Sequence, residues 1–234
     1  MITFDIETEP FPEEELAAIL PEFDESSVAI GNRGPDKAAE YIAQKRAEYE
    51  AKFFDQAALS PTTGTILAIG YYSPDKDKFS LDAVDEVVAD GAGSEGALLT
   101  RFWKLFNSMR EQGRSMIGVN ITEFDLPFIC RRSYMLGVDV PDCAFTNRSR
   151  RYFSDTFVDV STLWLCGERW GSTPSNFDAL ARAFSTNGKP GNCSGKDFSR
   201  LWHNGGEDRA AAIVYLESDV KQPAIWAQRM GVLK

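Results

Sequence analysis

The stretch Ile2-Thr3-Phe4-Asp5-Ile6-Glu7-Thr8 constrains this chain more than any other. Ile2, Phe4 and Ile6 alternate with Thr3, Asp5 and Glu7. A period of two sets the apolar side chains on one face of a β-strand and the two acids on the other. β-Branched and aromatic residues favour the extended chain, and Pro10 and Pro12 are expected to end it. Two acids on a strand in an apolar setting must either face water or be given a cation. Hard carboxylate oxygens suit Mg²⁺ or Mn²⁺. Taken alone, Asp-x-Glu is equally an edge strand whose acids are solvated, so the rest of the chain has to decide.

With 234 residues, 43% of them hydrophobic and 12% aromatic, the chain can build one large α/β domain or two small ones. Its formal charge of −10 argues against a protein that coats nucleic acid through bulk electrostatics. A local grip on nucleic acid stays open where divalent cations offset clustered carboxylates. Cys130, Cys143, Cys166 and Cys193 form no C-x-x-C pair, and His203 is the single histidine, so a structural zinc site is rejected. No G-x-S-x-G elbow accompanies that histidine, which is read as an ordinary surface or loop residue. There is no basic segment leading into an apolar leader at the start, and no run of eighteen apolar residues. Reduced thiols, a cytoplasmic location and no membrane role are expected.

After the first strand comes an acidic segment, 12–24, and a turn at 31–35. Asp36 is expected to cap a helix over 37–54. A strand over 65–72, apolar on both faces, belongs near a sheet centre, and a third over 78–84 completes an antiparallel meander. A loop over 91–96 leads to a helix with the stripe Leu98, Leu99, Phe102, Trp103, Leu105, Phe106, Met109, ended by Gly113. A strand at 116–119, a helix over 125–136, a connection bearing Arg148, Arg150 and Arg151, and a fifth strand at 157–160 follow. Ser175 or Asn176 caps a helix reaching Phe184, 186–196 reads as a loop, and the last helix spans 207–229 with a kink or restart expected at Pro223. No repeat and no domain boundary is evident. The order βββαβα, then β, then helices, predicts an α/β sheet layered with helices.

In open α/β sheets ligands gather outside the carboxyl ends of strands. Asp5 and Glu7 end the first strand, and Asp125 follows the fourth, where a helix cap is the competing explanation. Asp219 lies on the last helix with Tyr215 four residues before it, so both share one face, read as inward with Ile213, Val214, Leu216 and Val220. A phenol and an acid there need a partner, and a Tyr-Asp hydrogen bond at the core margin is the plain alternative.

Asp5-Ile6-Glu7-Thr8, then Asn120-x-x-x-Phe124-Asp125-Leu126-Pro127-Phe128, then Tyr215-x-x-x-Asp219 closely resemble the three motifs of DEDD-type 3′–5′ exonucleases. Tyr215 matches the DEDDy branch, which contains polymerase proofreading domains. The chain looks like the stand-alone group related to the exonuclease domain of family-B DNA polymerases. The stretch from Ala57 to Gly70 is similar to members from bacteria and phages. The resemblance implies a ribonuclease-H-like fold over residues 1–234: one exonuclease domain with a mixed five-stranded sheet, an antiparallel meander then parallel strands, flanked by helices. Residues of about 10–60 would be a helical insertion within it.

The resemblance also implies two divalent cations, Mg²⁺ or Mn²⁺. Asp5 would bridge them, Glu7 and Asp219 would complete the first ion's ligands, and Asp125 would hold the second, through water. Tyr215 would orient the attacking water, because a phenol with an ordinary pKa of about 10 is a poor general base at neutral pH. Phosphodiester hydrolysis puts charge on the entering and leaving oxygens, and ions about 3.5–4 Å apart stabilise both. Thr8, Asn120 and Phe124 fall where the family contacts the terminal nucleotide. Asp159 is read as structural, Arg131 and Arg132 as a solvated helix face with phosphate contact as the alternative, and the loop of Lys189 and Lys196 either as a contact to the nucleic-acid strand or as a loop only. The implied activity is release of 5′-nucleoside monophosphates from the 3′ end of DNA, single-stranded or frayed, in replication or repair of a bacterial or phage-infected cell. It would act in proofreading beside a separate polymerase or other replication protein. An RNA-trimming exoribonuclease and a non-catalytic 3′-end binder of a replication complex stay open as alternatives.

Overall fold

The computed structural model describes residues 1–85, 94–147, 152–190 and 193–232. Arg148, Arg150 and Arg151, and the beginning of the loop expected at 91–96, lie outside the described residues. The chain divides into two compact units, one formed by Met1–Glu7 with Ile66–Lys234 and the other by Thr8–Thr65.

The main sheet contains β1 (Ile2–Pro10), β2 (Gly64–Ser73), β3 (Lys78–Ala83), β4 (Met116–Gly118) and β7 (Phe157–Asp159), in the order β3-β2-β1-β4-β7. β2 and β3 are antiparallel, with Ala68 opposite Ala83 and Ser73 opposite Lys78. β1 runs parallel to β4, and β4 parallel to β7, with Gly118 beside Asp159. Both parallel neighbours are short, so the chain leaves the sheet soon after Gly118 and Asp159, and the turns at their carboxyl ends meet. This is the mixed five-stranded sheet, an antiparallel meander and then parallel strands, that the resemblance implied. A small antiparallel pair, β5 (Phe145–Asn147) with β6 (Tyr152–Phe153), was not foreseen; strands of three and two residues are too short to show a period.

Helix α3 (Glu95–Glu111) and helix α4 (Asp125–Met135) pack with Phe4 and Ile6 of β1 in one aromatic-rich cluster. Phe102 meets Phe4 edge-on at 5.3 Å between ring centres, and Phe106 stacks on Phe157 at 4.8 Å. A second cluster joins Leu67 and Ala68 of β2 to α7 (Gly195–Asn204) and α8 (Gly206–Arg229). A third joins Ile117 of β4 to α5 (Val160–Trp164), α6 (Phe177–Ala183) and Trp226 of α8. Thr3 fastens β1 to α8 by donating its hydroxyl to the Val220 carbonyl at 2.5 Å.

Gly118 shows how closely the elements at the site are packed. A Cβ there would lie 2.4 Å from Cγ2 of Ile121 and 2.8 Å from the Phe4 carbonyl oxygen. A backbone oxygen in a central strand cannot step aside. Gly118→Ala is therefore expected to destabilise the protein by about 1–3 kcal/mol, read as a lower urea midpoint at unchanged slope. An unchanged midpoint would show that β4 can shift at no cost.

Several local expectations are corrected. Gly34 is the cap of α2 (Pro35–Gln56), so Asp36 lies in the first turn instead, where the helix dipole also favours an acid. Gly96 lies inside α3, which Ser94 caps by accepting the Ala97 N–H at 3.2 Å. The loop expected to 196 ends earlier, because α7 begins at Gly195 and carries Lys196 and His203. α8 continues through Pro223 without a restart, and Val214 faces solvent while Ala212, Tyr215, Leu216, Asp219 and Val220 are buried. Arg132 is buried and forks onto Glu95 at 2.6 and 2.9 Å, rather than standing on a solvated face.

Thr8–Thr65 contains α1 (Glu13–Ile19) and α2. Glu13, Glu14 and Glu15 occupy the first turn of α1, complementing its dipole. Phe23 packs on Tyr49 at 5.5 Å, beside an Arg46–Glu25 ion pair. This unit has twelve acidic and five basic side chains, so it carries seven of the ten net negative charges. The sheet-bearing unit is nearly neutral. Among the described residues no helix is long and apolar enough to cross a membrane.

Candidate active site

β1 and α8 build the centre of the site. Carboxylate oxygens of Asp5, Glu7 and Asp219 lie within 4.8 Å of one another. β1 presents Asp5 and Glu7 two residues apart, and the Thr3–Val220 bond holds the neighbouring turn of α8 against that strand. Tyr215 and Asp219 follow the helical repeat and are both buried.

Asp125 opens α4, with Phe124 in the cap position and no side-chain cap bond. Instead of capping its own helix, Asp125 accepts the Ile6 N–H at 3.2 Å, reaching β1 between Asp5 and Glu7. It stands outside the group of three, yet its charge is felt by Asp5.

Burial is the main force on these acids. Loss of water raises Asp5 well above the carboxylate range, and repulsion from Asp125, Asp219 and Glu7 adds to it. Glu7 is raised likewise, by burial and then by Asp219. Burial lifts Asp125 to about 7 against the pull of the Ile6 N–H. Asp219 is raised by burial and partly restrained by Lys189.

Among the described residues, Lys189 is a cation that reaches this cluster. Its ammonium donates to Asp219 Oδ2 and to the Tyr215 hydroxyl, each at 2.6 Å. It thus joins the phenol and the acid, and the direct Tyr215–Asp219 hydrogen bond read from the sequence also acts to hold the Asp219 pKa down. Burial alone would lower the Lys189 pKa; Asp219, Tyr215 and Asp5 outweigh it and drive the pKa upward. The Tyr215 hydroxyl is pushed far above its ordinary value, first by burial and then by Asp219 and Glu7. Sequence reasoning placed Lys189 on a loop, with contact to a bound nucleic-acid strand as the alternative, and tied it to neither Tyr215 nor Asp219. Gly188-Lys189-Pro190 has no period and no fixed spacing to Asp219, so no local signal ties them.

Asp5 and Asp219 open into a cleft of about 740 Å³ that is also lined by Asn120, Lys189, Trp170 and Phe177, among others. Asn120 adopts φ +61°, a conformation that asparagine tolerates. Its Oδ1 is buried without a hydrogen-bond partner. Phe124 is half-buried and packs on Phe128 at 5.6 Å, at the rim of the aromatic core. Thr8 is half-buried on β1 and is the first residue of the second compact unit.

Asp159 matches its structural reading. It accepts the backbone N–H groups of Asn120, Thr122 and Ser161 at 2.9–3.0 Å and the Thr122 hydroxyl at 2.7 Å. It thereby caps α5 and ties the β4–α4 turn to β7, leaving its oxygens committed.

The donor set fits a divalent ion. All the converging atoms are hard carboxylate oxygens, and Asp219 Oδ1 is buried without a partner. Among the described residues, one lysine against Asp5, Glu7, Asp125 and Asp219 leaves the cluster short of positive charge.

Fold and site together define an α/β protein of the ribonuclease-H-like class, with an acid cluster beside its central strand. The family model for the RNase_H superfamily matches residues 53–219, and the chain belongs to that superfamily, whose nucleases generally use divalent metal ions. No curated protein sequence matches it. Among solved structures it is similar to the family B DNA polymerase from the hyperthermophilic archaeon Pyrobaculum calidifontis. That likeness has a TM-score of 0.58 at 14% identity and covers 98% of this chain but 24% of the polymerase. It is a likeness of fold.

Proposed function

We propose that this chain is a metal-dependent 3′–5′ exonuclease that releases 5′-nucleoside monophosphates from the 3′ end of single-stranded DNA. The observation that carries the reading is the convergence of Asp5, Glu7 and Asp219 within 4.8 Å, with an unpartnered Asp219 oxygen one helical turn from Tyr215. Asp5 would help hold both cations, Glu7 and Asp219 the first, and Asp125 the second. Two divalent ions, when bound, supply charge stabilisation at the entering and leaving oxygens and make the attacking water more acidic.

The remaining work belongs to side chains. Tyr215, its pKa raised by burial, keeps its proton at neutral pH and orients the attacking water rather than deprotonating it. Asn120 offers an unpartnered acceptor to the terminal nucleotide, with Thr8 and Phe124 as further contacts. In this reading the whole chain acts as one exonuclease domain with residues of about 10–60 inserted. It works in the cytoplasm of a bacterial or phage-infected cell, beside a separate polymerase.

The test is a 5′-labelled single-stranded DNA incubated with Mg²⁺, Mn²⁺ or EDTA, with a matched RNA lane. A metal-dependent ladder shortening from the 3′ end of DNA is expected. A ladder on RNA alone would make the chain an exoribonuclease, and binding without cleavage of either would make it a 3′-end binder. Tyr215→Phe is expected to lower turnover by about 10²-fold, the cost of a misplaced reactant, while Mn²⁺ affinity measured calorimetrically changes little. Unchanged turnover would remove the water-orienting role.

A further inference from the structure

Trp170 is 49% exposed and lines the same cleft as Asp5 and Asp219. The other four tryptophans are spent on the fold. Trp103, Trp164, Trp202 and Trp226 donate their indole N–H groups to Ser133, the Pro174 carbonyl, Asp85 and Thr186. Among the described residues, Trp170 alone of the tryptophans has neither a buried ring nor a partner for its N–H.

The loop that carries it is braced. Gly167 and Gly171, at φ +87° and +85°, make the turns on either side. The Glu168 carboxylate accepts the hydroxyls of Ser172 at 2.9 Å and Thr173 at 2.6 Å. The Ser161 hydroxyl donates to the Ser175 carbonyl at 2.8 Å and, with the Trp164 bond to Pro174, anchors the loop to α5. An exposed aromatic ring on a pre-ordered loop binds at small entropic cost. The same cleft carries the unpartnered Asn120 Oδ1, and the Lys189 ammonium lies 5.1 Å from the centre of the Phe177 ring. An aromatic face, a polar acceptor and a cation beside an acid cluster match base, sugar and phosphate together.

We infer that Trp170 is the stacking platform for an unpaired base of the bound strand. This rests on the exonuclease reading and deepens it, because the platform selects the form of the substrate. A base inside a duplex has both faces covered and cannot lie on the indole, whereas any unpaired base can. The site is then selective for single strands and indifferent to base identity.

The test compares wild-type protein, Trp170→Ala and Trp170→Phe on three 5′-labelled substrates: a single-stranded DNA, the same strand with abasic residues at its three 3′-terminal positions, and a blunt duplex. Trp170→Ala is expected to raise KM on the ordinary strand about tenfold, within the range for losing one base–aromatic stack. Trp170→Phe should recover most of that loss. On the abasic strand wild type and Trp170→Ala should have equal KM, and the preference for single strand over duplex should shrink in the alanine variant. If wild type cleaves but Trp170→Ala has unchanged KM on the ordinary strand, or loses as much on the abasic strand, stacking is overturned while the exonuclease reading stands. If wild type neither binds nor cleaves any of the three, both are overturned.

Discussion

Asp5→Asn is expected to reduce cleavage by about 10³-fold or more while raising the melting temperature of the metal-free protein. Asparagine keeps the shape of the side chain and one oxygen but removes the charge. Asp5 is the acid proposed to serve both cations, so its loss removes several kcal/mol of transition-state stabilisation, equivalent to roughly three orders of magnitude. The stability change has the opposite sign. Asp5 is held far above its ordinary pKa by burial and by Asp125, Asp219 and Glu7, so its ionised form strains the fold at neutral pH. Thermal unfolding in EDTA and a cleavage time course on the same preparation give both readings. Activity retained within tenfold, in protein free of contaminating nuclease, would sink the assignment. Loss of both activity and stability would point to a damaged fold instead.

The second large effect couples pH to metal. In EDTA the site's contribution to stability is expected to fall as pH rises from about 4 to 8. Asp125 titrates at about 7 in the folded chain, and Asp5, Glu7 and Asp219 are likewise raised. Once unfolded, these groups lose their protons in the ordinary carboxylate range. The folded state therefore holds more protons between the two values. The stabilisation is complete below the unfolded values and is lost as pH climbs through the folded ones. Exposed acids such as Asp24 and Asp197, whose pKa values are lowered by hydrogen bonds, contribute with the opposite sign. The clean quantity is thus the difference between wild type and Asp125→Asn, which should lose part of the slope. Mg²⁺ or Mn²⁺ should restore stability, by about 2.7 kcal/mol at a hundredfold excess over Kd, and more at pH 8 than at pH 5. Identical pH profiles for the two proteins, with no metal response at any pH, would refute the proposed cation site.

The legible parts of the fold are those with a local period or a local cap. The alternation of β1, the apolar stripe of α3 closed by Gly113, and Asn176 capping α6 through the Ala179 N–H each require only a few neighbouring residues. α5, of five residues, and the pair β5–β6 are too short to carry a period. α7 begins at a glycine in a stretch rich in loop residues, and its apolar face is recognisable only once Phe198 and Trp202 are seen against α8. The Arg132–Glu95 pair was misread for a related reason: nothing local distinguishes an arginine turned inward from one in water.

Residue type and spacing alone determined that Asp5 and Glu7 share a strand face and that Tyr215 and Asp219 share a helix face, because each relation lies within one turn or one pleat. Only the tertiary structure decided that these two faces meet. Packing of α8 against β1, held in part by the Thr3 hydroxyl on the Val220 carbonyl, brings the first and last motifs within 4.8 Å across almost the whole length of the chain. It also placed Lys189 between Tyr215 and Asp219, turned Asp125 onto the Ile6 N–H, and set Trp170 on the cleft wall. Local periodicity dictates which way a side chain points; which partner it meets depends on burial of apolar surface between elements remote in sequence.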